Sequence, residues 1–285
     1  MAEGRIQTKA AAGDNRPGSP ILWARWGSIS KLIAQRLRPQ QPPTLVLSLP
    51  RSGSSWVGET LGRADNALYL REPVTQSDQS FYYKGTVFSP DEPDVAASYQ
   101  MLADRAFSGC PDFAKDVVQF PLQWALWWRR PRRIVIKEVN PLACEWYLQR
   151  YQPRILFLVR HPAGVALSCH VKGWLSTEPA AWANNGIFQA EALRFALDAL
   201  AEYPAHEFVV YKEVCADPLA EFERMFAFAD LIWNDRIQGF IGQDTSDSKK
   251  MIDAWRGKLP PGALEALGSS YRQFDLPWYQ KDEEW

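Results

Sequence analysis

The sequence predicts an α/β fold, a doubly wound, mainly parallel sheet with helices on both faces. Short apolar runs alternate with stretches of helical periodicity, the pattern left by buried parallel strands and their crossover helices. Each main run is followed by a basic residue, at the strand ends where open parallel sheets bind their ligands. The composition agrees, with 46% hydrophobic and 23% charged residues and a formal charge of -1. That balance excludes a disordered chain and gives no support to coating of nucleic acid through bulk charge.

Residues 1–19 are small and polar and read as a disordered arm. In residues 20–43, Leu22, Trp26, Ile29, Ile33 and Leu37 recur at helical spacing, while Arg25, Lys31, Arg36 and Arg38 supply charge without one acid. The favoured expectation is a helix packed on its own domain with a solvated basic face, and peripheral contact with an anionic membrane is the alternative. Pro39, Pro42 and Pro43 end the helix and mark a linker. Residues 44–285 then read as one domain. Its strands are Thr44 to Leu49, Arg133 to Ile136, Arg154 to Val159 and Phe208 to Tyr211, with a weaker one at Ala67 to Leu70. Helical periodicity fits Ser55 to Arg63, Pro162 to Lys172, Gln189 to Glu202 and Pro218 to Ala229.

The opening residues lack an apolar targeting segment, and no later window is apolar enough to span a bilayer, so a soluble, cytoplasmic protein is expected. The 4 cysteines stand far apart, without the spacing of a zinc site or a disulfide framework, in keeping with a reducing compartment.

Arg51, Lys137, Arg160 and Lys212 follow the four main strands. Cations gathered in one crevice repel one another unless an anionic ligand joins them, so the set points to a polyanion. The segment L-S-L-P-R-S-G-S-S-W, residues 47–56, runs from strand through a glycine turn into a helix, a geometry that aims backbone N–H groups at a phosphate. Gly53 allows close approach, and Ser54 and Ser55 can cap the helix or donate to an anion. The run lacks the G-x-x-x-x-G-K-[ST] of nucleotide triphosphatases, and none of the four main strands ends in a magnesium-holding aspartate, so a phosphate site without metal is expected.

The segment P-R-S-G-S-S-W, followed downstream by L-V-R-H-P-A-G-V-A-L-S at residues 158–168, resembles the two cofactor signatures of sulfotransferases that use 3'-phosphoadenosine 5'-phosphosulfate. The resemblance covers residues 44–230 in outline. It implies that Arg51 and the turn Ser52, Gly53, Ser54, Ser55 bind the 5' end, that Trp56 stacks near the adenine, and that Arg160 and Ser168 bind the 3'-phosphate. It also implies that Tyr211 lies near the nucleotide. Lys212 departs from the family pattern, which has acidic residues there.

Lys137, in I-V-I-K-E-V-N-P, resembles the family lysine that stabilises the leaving side. Many cytosolic members place a histidine base two residues later, where this chain has Val139. Glu72, in L-Y-L-R-E-P, resembles the glutamate base of carbohydrate-type and bacterial members, so Glu72, Lys137 and Arg51 form the expected catalytic set. Glu138 is the second candidate base. His170 and His206, expected on a helix face and in a loop, receive no catalytic role.

Residues 73–132 depart from the alternation and carry Phe81, Tyr82, Tyr83, Phe88, Tyr99, Phe107, Phe113, Phe120, Trp124, Trp127 and Trp128. They fit either an acceptor-binding lid that excludes water or ordinary core packing. Gly242 to Lys258, with Lys249, Lys250, Arg256 and Lys258, is a candidate second flap. The expectation is sulfuryl transfer, without metal, to a hydroxyl or amine of a small molecule or saccharide, releasing 3'-phosphoadenosine 5'-phosphate. The alternatives are a P-loop kinase-like phosphoryl transferase and a non-catalytic nucleotide-binding protein docked at membranes.

Overall fold

The computed structural model describes residues 19–25, 27–78, 82–83, 86–91, 96–244 and 248–285. The arm expected at 1–19 therefore lies outside the described residues except for Ser19, as do Trp26 and Phe81. The elements are α1 (Gly27–Arg36), β1 (Thr44–Ser48), α2 (Ser54–Gly62), β2 (Ala67–Arg71), β3 (Tyr82–Tyr83), β4 (Thr86–Val87) and α3 (Ala96–Phe107). They continue as β5 (Arg133–Glu138), α4 (Cys144–Tyr151), β6 (Arg154–Val159), α5 (Pro162–Val171), α6 (Pro179–Leu200) and β7 (His206–Val210). α7 (Tyr211–Ala216), α8 (Pro218–Phe228), α9 (Asp235–Asp244) and α10 (Ala263–Tyr271) complete the set.

The main sheet has five strands in the order β2-β5-β1-β6-β7, all parallel. β1 is its centre. Every residue of T-L-V-L-S is buried, because the strand is covered on both faces. Side chains alternate across it, so Leu45 and Leu47 enter one core with residues of α3, α4 and α6, while Val46 enters another with residues of α2, α8 and α9. The chain leaves β1 toward β2 on one side and later builds β6 and β7 on the other. The C-terminal ends of β1, β5 and β6 thus border one crevice, at the switch point where such sheets bind ligands.

Several boundaries differ from the sequence expectation. β5 runs on to Glu138, so Lys137 lies inside a strand and pairs in register with Val46 and Arg71. β7 begins at His206, paired with Ile155, rather than in a loop, and Tyr211 opens α7 instead of ending the strand. α6 starts at Pro179, a residue that suits a first helical turn, far ahead of Gln189.

The amphipathic stripe of residues 20–38 is turned only partly toward the domain, with Ile33 and Leu37 half-buried. A 3-10 turn at Leu22–Arg25 precedes α1, and the buried residues are Trp23, Ala24, Ser30 and Ala34, whereas Leu22 and Ile29 are exposed. Trp23 decides this by donating Nε1 to the Trp124 carbonyl at 2.7 Å, which fixes the turn before the helix begins.

Of the aromatics in residues 73–132, Tyr99, Phe107, Phe113 and Trp124 are core residues, and Phe107 stacks on Tyr151 at 4.2 Å. Trp127 is exposed. The side chains of Tyr82, Tyr83, Trp128 and Lys249 lie outside what is described.

α6 and α10 pack at a point that admits no side chain on Gly186, where a Cβ would stand 2.2 Å from Ser270 Oγ and 2.6 Å from the Leu267 carbonyl. Gly186→Ala should therefore destabilise the fold by about 1–3 kcal/mol, the range for overpacking. Urea unfolding checks this, and an unchanged midpoint would contradict the close approach.

Candidate functional site

The crevice contains a cavity of about 360 Å³ lined by Pro50, Arg51, Gly53, Ser54, Ser55 and Trp56, by Arg71, Glu72 and Gln76, and by Lys137, Val139, Arg160, Ser168 and Trp174. One wall is the turn after β1. Arg51 holds a φ of 70° and Gly53 a φ of 93°, so the chain reverses sharply before α2. Positive φ in a non-glycine residue is costly and tends to occur at functional sites. At Gly53 glycine is also required by space, since a Cβ would lie 2.4 Å from the Tyr211 ring. In the first turn of α2 the Trp56 N–H turns back to the Gly53 carbonyl at 3.1 Å, whereas the N–H groups of Ser54 and Ser55 precede any intrahelical acceptor and stand at the positive end of the helix dipole, beside the crevice.

The turn is tied to the second motif by hydrogen bonds. Arg160 Nη1 donates to the Arg51 carbonyl at 3.0 Å, and Arg51 Nε donates to Ser168 Oγ at 2.9 Å. Arg160 also lies 4.6 Å above the Tyr211 ring. Trp56 meets Phe222 and Tyr211 edge-on, at 5.2 and 6.2 Å. Ser48 Oγ bonds Ser54 Oγ at 2.8 Å. Ser52 stands apart, buried beneath the turn with its N–H given to the Leu49 carbonyl.

The opposite wall holds Glu72 and Lys137 in an ion pair, with the lysine 2% exposed. Burial lowers the Lys137 pKa, and Glu72 acts against that. Glu72 has a φ of 47°, and its N–H donates to the Lys137 carbonyl at 2.6 Å, so the β2–β5 pairing continues one residue past β2. The next residues are held by Glu138. Its carboxylate accepts from the Val74 N–H at 2.6 Å and the Thr75 hydroxyl at 2.8 Å. Burial pushes the Glu138 carboxyl up to about 7, although both bonds favour its charged form. Glu138 is fully buried and occupied by these bonds, whereas Glu72 lines the cavity.

Arg51, Arg71 and Arg160 line the cavity, and none has a carboxylate at ion-pair distance among the described residues. Glu72 is the sole acid among the described residues of the lining. The site is thus arranged to meet an anion with fixed cations and helix-end N–H groups.

Arg160 borders a second cavity, of about 170 Å³, with His161, Tyr211, Lys212, Arg256, Tyr279 and Glu284 among its walls. His161 Nδ1 accepts from the Ala163 N–H at 3.1 Å and so caps α5, which leaves Nε2 to donate to the Glu284 carbonyl at 2.8 Å. Trp255 stacks on the same ring at 4.5 Å. Within the candidate second flap, Trp255 is buried and Arg256 pairs with Asp253 at 3.2 Å.

The structure therefore brings Arg51, Gly53, Ser54, Ser55, Trp56, Glu72, Lys137, Arg160 and Ser168 around one cavity, with Tyr211 beneath Arg160. Lys212 joins Arg160 only at the smaller cavity. Sequence reasoning gave no site role to Arg71, Gln76 or Trp174. Arg71 is itself a cation at a strand end and was findable by that rule, whereas Trp174, 5.9 Å from the Arg51 guanidinium, arrives through a turn after α5 that has no local signature.

No protein-family model and no curated protein matches the chain. Solved structures do, loosely. A sulfotransferase domain from the curacin biosynthetic pathway is 17% identical with a TM-score of 0.46, covering 86% of this chain and 95% of that one. Mouse sulfotransferase SULT7A1, complexed with PAP, is 14% identical with a TM-score of 0.48, over 89% and 86% of the two chains. Sulfotransferase STF9 from Mycobacterium avium is 12% identical with a TM-score of 0.49, over 87% and 80%.

His161 yields a pH prediction. Burial pulls its pKa from 6.5 down to about 4, and protonation would also remove the acceptor for Ala163. The unfolded chain then takes up the proton first, so this contribution is whole above about pH 6.5 and is lost as pH falls toward 4. The loss should be on the order of 3 kcal/mol. Unfolding midpoints measured across that window should fall more steeply for the wild type than for His161→Asn, which keeps a cap and cannot titrate. Parallel slopes would contradict the assignment.

Proposed function

We propose that this chain is a sulfotransferase that moves a sulfuryl group from 3'-phosphoadenosine 5'-phosphosulfate to a hydroxyl or amine of a small molecule or saccharide. The observation that carries the reading is the group of arginines without carboxylate partners, Arg51, Arg71 and Arg160, around a cavity whose one acid, Glu72, is held by Lys137. A triphosphate-binding loop would carry a lysine directly after the glycine, where this turn has Ser54 after Gly53.

The cavity residues fit the donor. Arg51 and the N–H groups of the turn and of α2 suit its 5' end, Arg160 and Ser168 its 3'-phosphate, and the half-buried Trp56 its adenine. When bound, this donor supplies a sulfuryl group on a phosphate leaving group. Glu72 takes the proton of the acceptor O–H or N–H as the new bond to sulfur forms. Lys137 and Arg51 stabilise the charge that grows on the oxygen released as the old S–O bond breaks. Water is a competing acceptor, so exclusion of water from the crevice as the acceptor binds favours transfer over hydrolysis.

The acceptor belongs beside Glu72. A cavity of about 500 Å³ lies between residues 76–78, α3 and residues 112–117, and Gln76 lines both it and the transfer cavity. Its walls mix Ser98, Arg105 and Asp116 with Met101, Leu102 and Phe113, which suits a polar molecule of modest size. Residues 73–132 thus take the role of acceptor-binding insertion, with their buried aromatics as its frame.

Two measurements test the reading. At a ligand excess of ~100 times Kd, 3'-phosphoadenosine 5'-phosphate should stabilise the fold by about 2.7 kcal/mol, and ATP with magnesium should do so far less. Arg160→Ala should abolish that preference, and equal shifts with both nucleotides in the wild type would refute the donor. Mass spectrometry across an acceptor panel then identifies a sulfated product, on which Glu72→Gln should lower turnover roughly 10²- to 10⁴-fold while leaving nucleotide affinity nearly intact. Near-normal turnover would remove Glu72 from the role of base.

A further inference from the structure

α1 is seated on the domain through its small residues. Ser30 Oγ lies 3.0 Å from the carbonyls of both Trp23 and Gly27, which share its one proton, and the buried Arg129 reaches the Ala34 carbonyl at 3.3 Å while lying 4.6 Å over the Trp23 ring. With Ser30 and Ala34 inward, helical spacing places Ile29, Leu32 and Arg36 on one outward strip. Ile29 is 77% exposed and Leu32 54%. Leu22, in the preceding turn, and Trp127, in the segment joined to that turn by the Trp23–Trp124 bond, also face solvent.

Single exposed apolar residues are ordinary, but Ile29 and Leu32 share their strip with Arg36, and Leu22 and Trp127 belong to the two segments next to α1 that the Trp23–Trp124 bond joins. Arg36, Arg38 and Arg130 are exposed and have no carboxylate at ion-pair distance among the described residues. Lys31 has only a 3.6 Å contact with the exposed Asp112. The whole chain has a formal charge of -1, so this concentration of positive charge is local.

We infer that the outward strip of α1, with Leu22 and Trp127, is a docking surface for an anionic lipid bilayer. The surface is the convex side of a helix rather than a groove, which suits a planar partner. Its aliphatic side chains would enter the acyl boundary while the arginines reach lipid phosphates, and an exposed tryptophan suits the interface between them. No described helix is long and apolar enough to cross a membrane, so the contact is peripheral.

Co-sedimentation of the full chain with vesicles tests this. Vesicles of equal parts phosphatidylcholine and phosphatidylglycerol should carry the protein down, phosphatidylcholine alone should not, and added salt should weaken the binding. Arg36→Gln and Arg38→Gln should each cost about five-fold in partitioning. The pair Ile29→Gln and Leu32→Gln should reduce it further, with unfolding midpoints unchanged because the side chains are exposed. Failure to bind anionic vesicles, or full binding by the variants, would overturn the proposal. So would a dimer in solution that the Ile29 and Leu32 substitutions dissolve without any vesicle binding, since the face would then belong to a second copy of the chain.

Discussion

An ammonium and a carboxylate placed almost out of water set the terms for this crevice. Two such charges cost several kcal/mol each to desolvate and are tolerated only when geometry and further hydrogen bonds compensate. The Glu72–Lys137 pair meets those conditions through its surroundings. Lys137 is rooted in β5 between β1 and β2, and Glu72 is bound to the Lys137 carbonyl through its own N–H. Glu138, the neighbour of Lys137, points to the other face of the strand and holds the backbone that follows Glu72. One strand thus carries both the partner of Glu72 and the clamp on its loop.

The other wall solves a different problem, the holding of like charges close together. Arg51 and Arg160 would repel in water, yet Arg160 is fixed to the Arg51 carbonyl and Arg51 to Ser168. Each guanidinium is oriented by neutral acceptors and aromatic faces, so its charge stays available to an incoming anion. The positive φ of Arg51 is part of the same device, because it turns the carbonyl toward Arg160 as the chain enters α2. Held in this way, both guanidinium groups already border the cavity and would need little rearrangement to meet an anion there.

Two carboxylates and one helix illustrate how far local pattern reaches. Glu72 and Glu138 are both acids next to strand ends and are equivalent by composition. Burial and hydrogen bonding separate them, since one lines the cavity and the other is consumed by Val74 and Thr75. In α1 the apolar spacing was legible but its direction was not. Helical periodicity states which residues share a face, and the Trp23 anchor decides which face meets the domain.

The sequence by itself determined the strands of the sheet, the turn after β1 and the strand-end cations Arg51 and Arg160. These depend on local physics: continuous apolar runs must be covered on both faces, and a glycine turn between strand and helix leaves N–H groups free. Strand order, the meeting of Arg160 with Arg51, the joining of Glu72 to Lys137 and the arrival of Trp174 and Gln76 were decided only by tertiary structure. Each of these brings together residues far apart in the chain, and no periodicity or spacing encodes such a contact. What selects among the possible pairings is how completely the folded chain can bury its apolar surface while still finding a partner for every charge it removes from water.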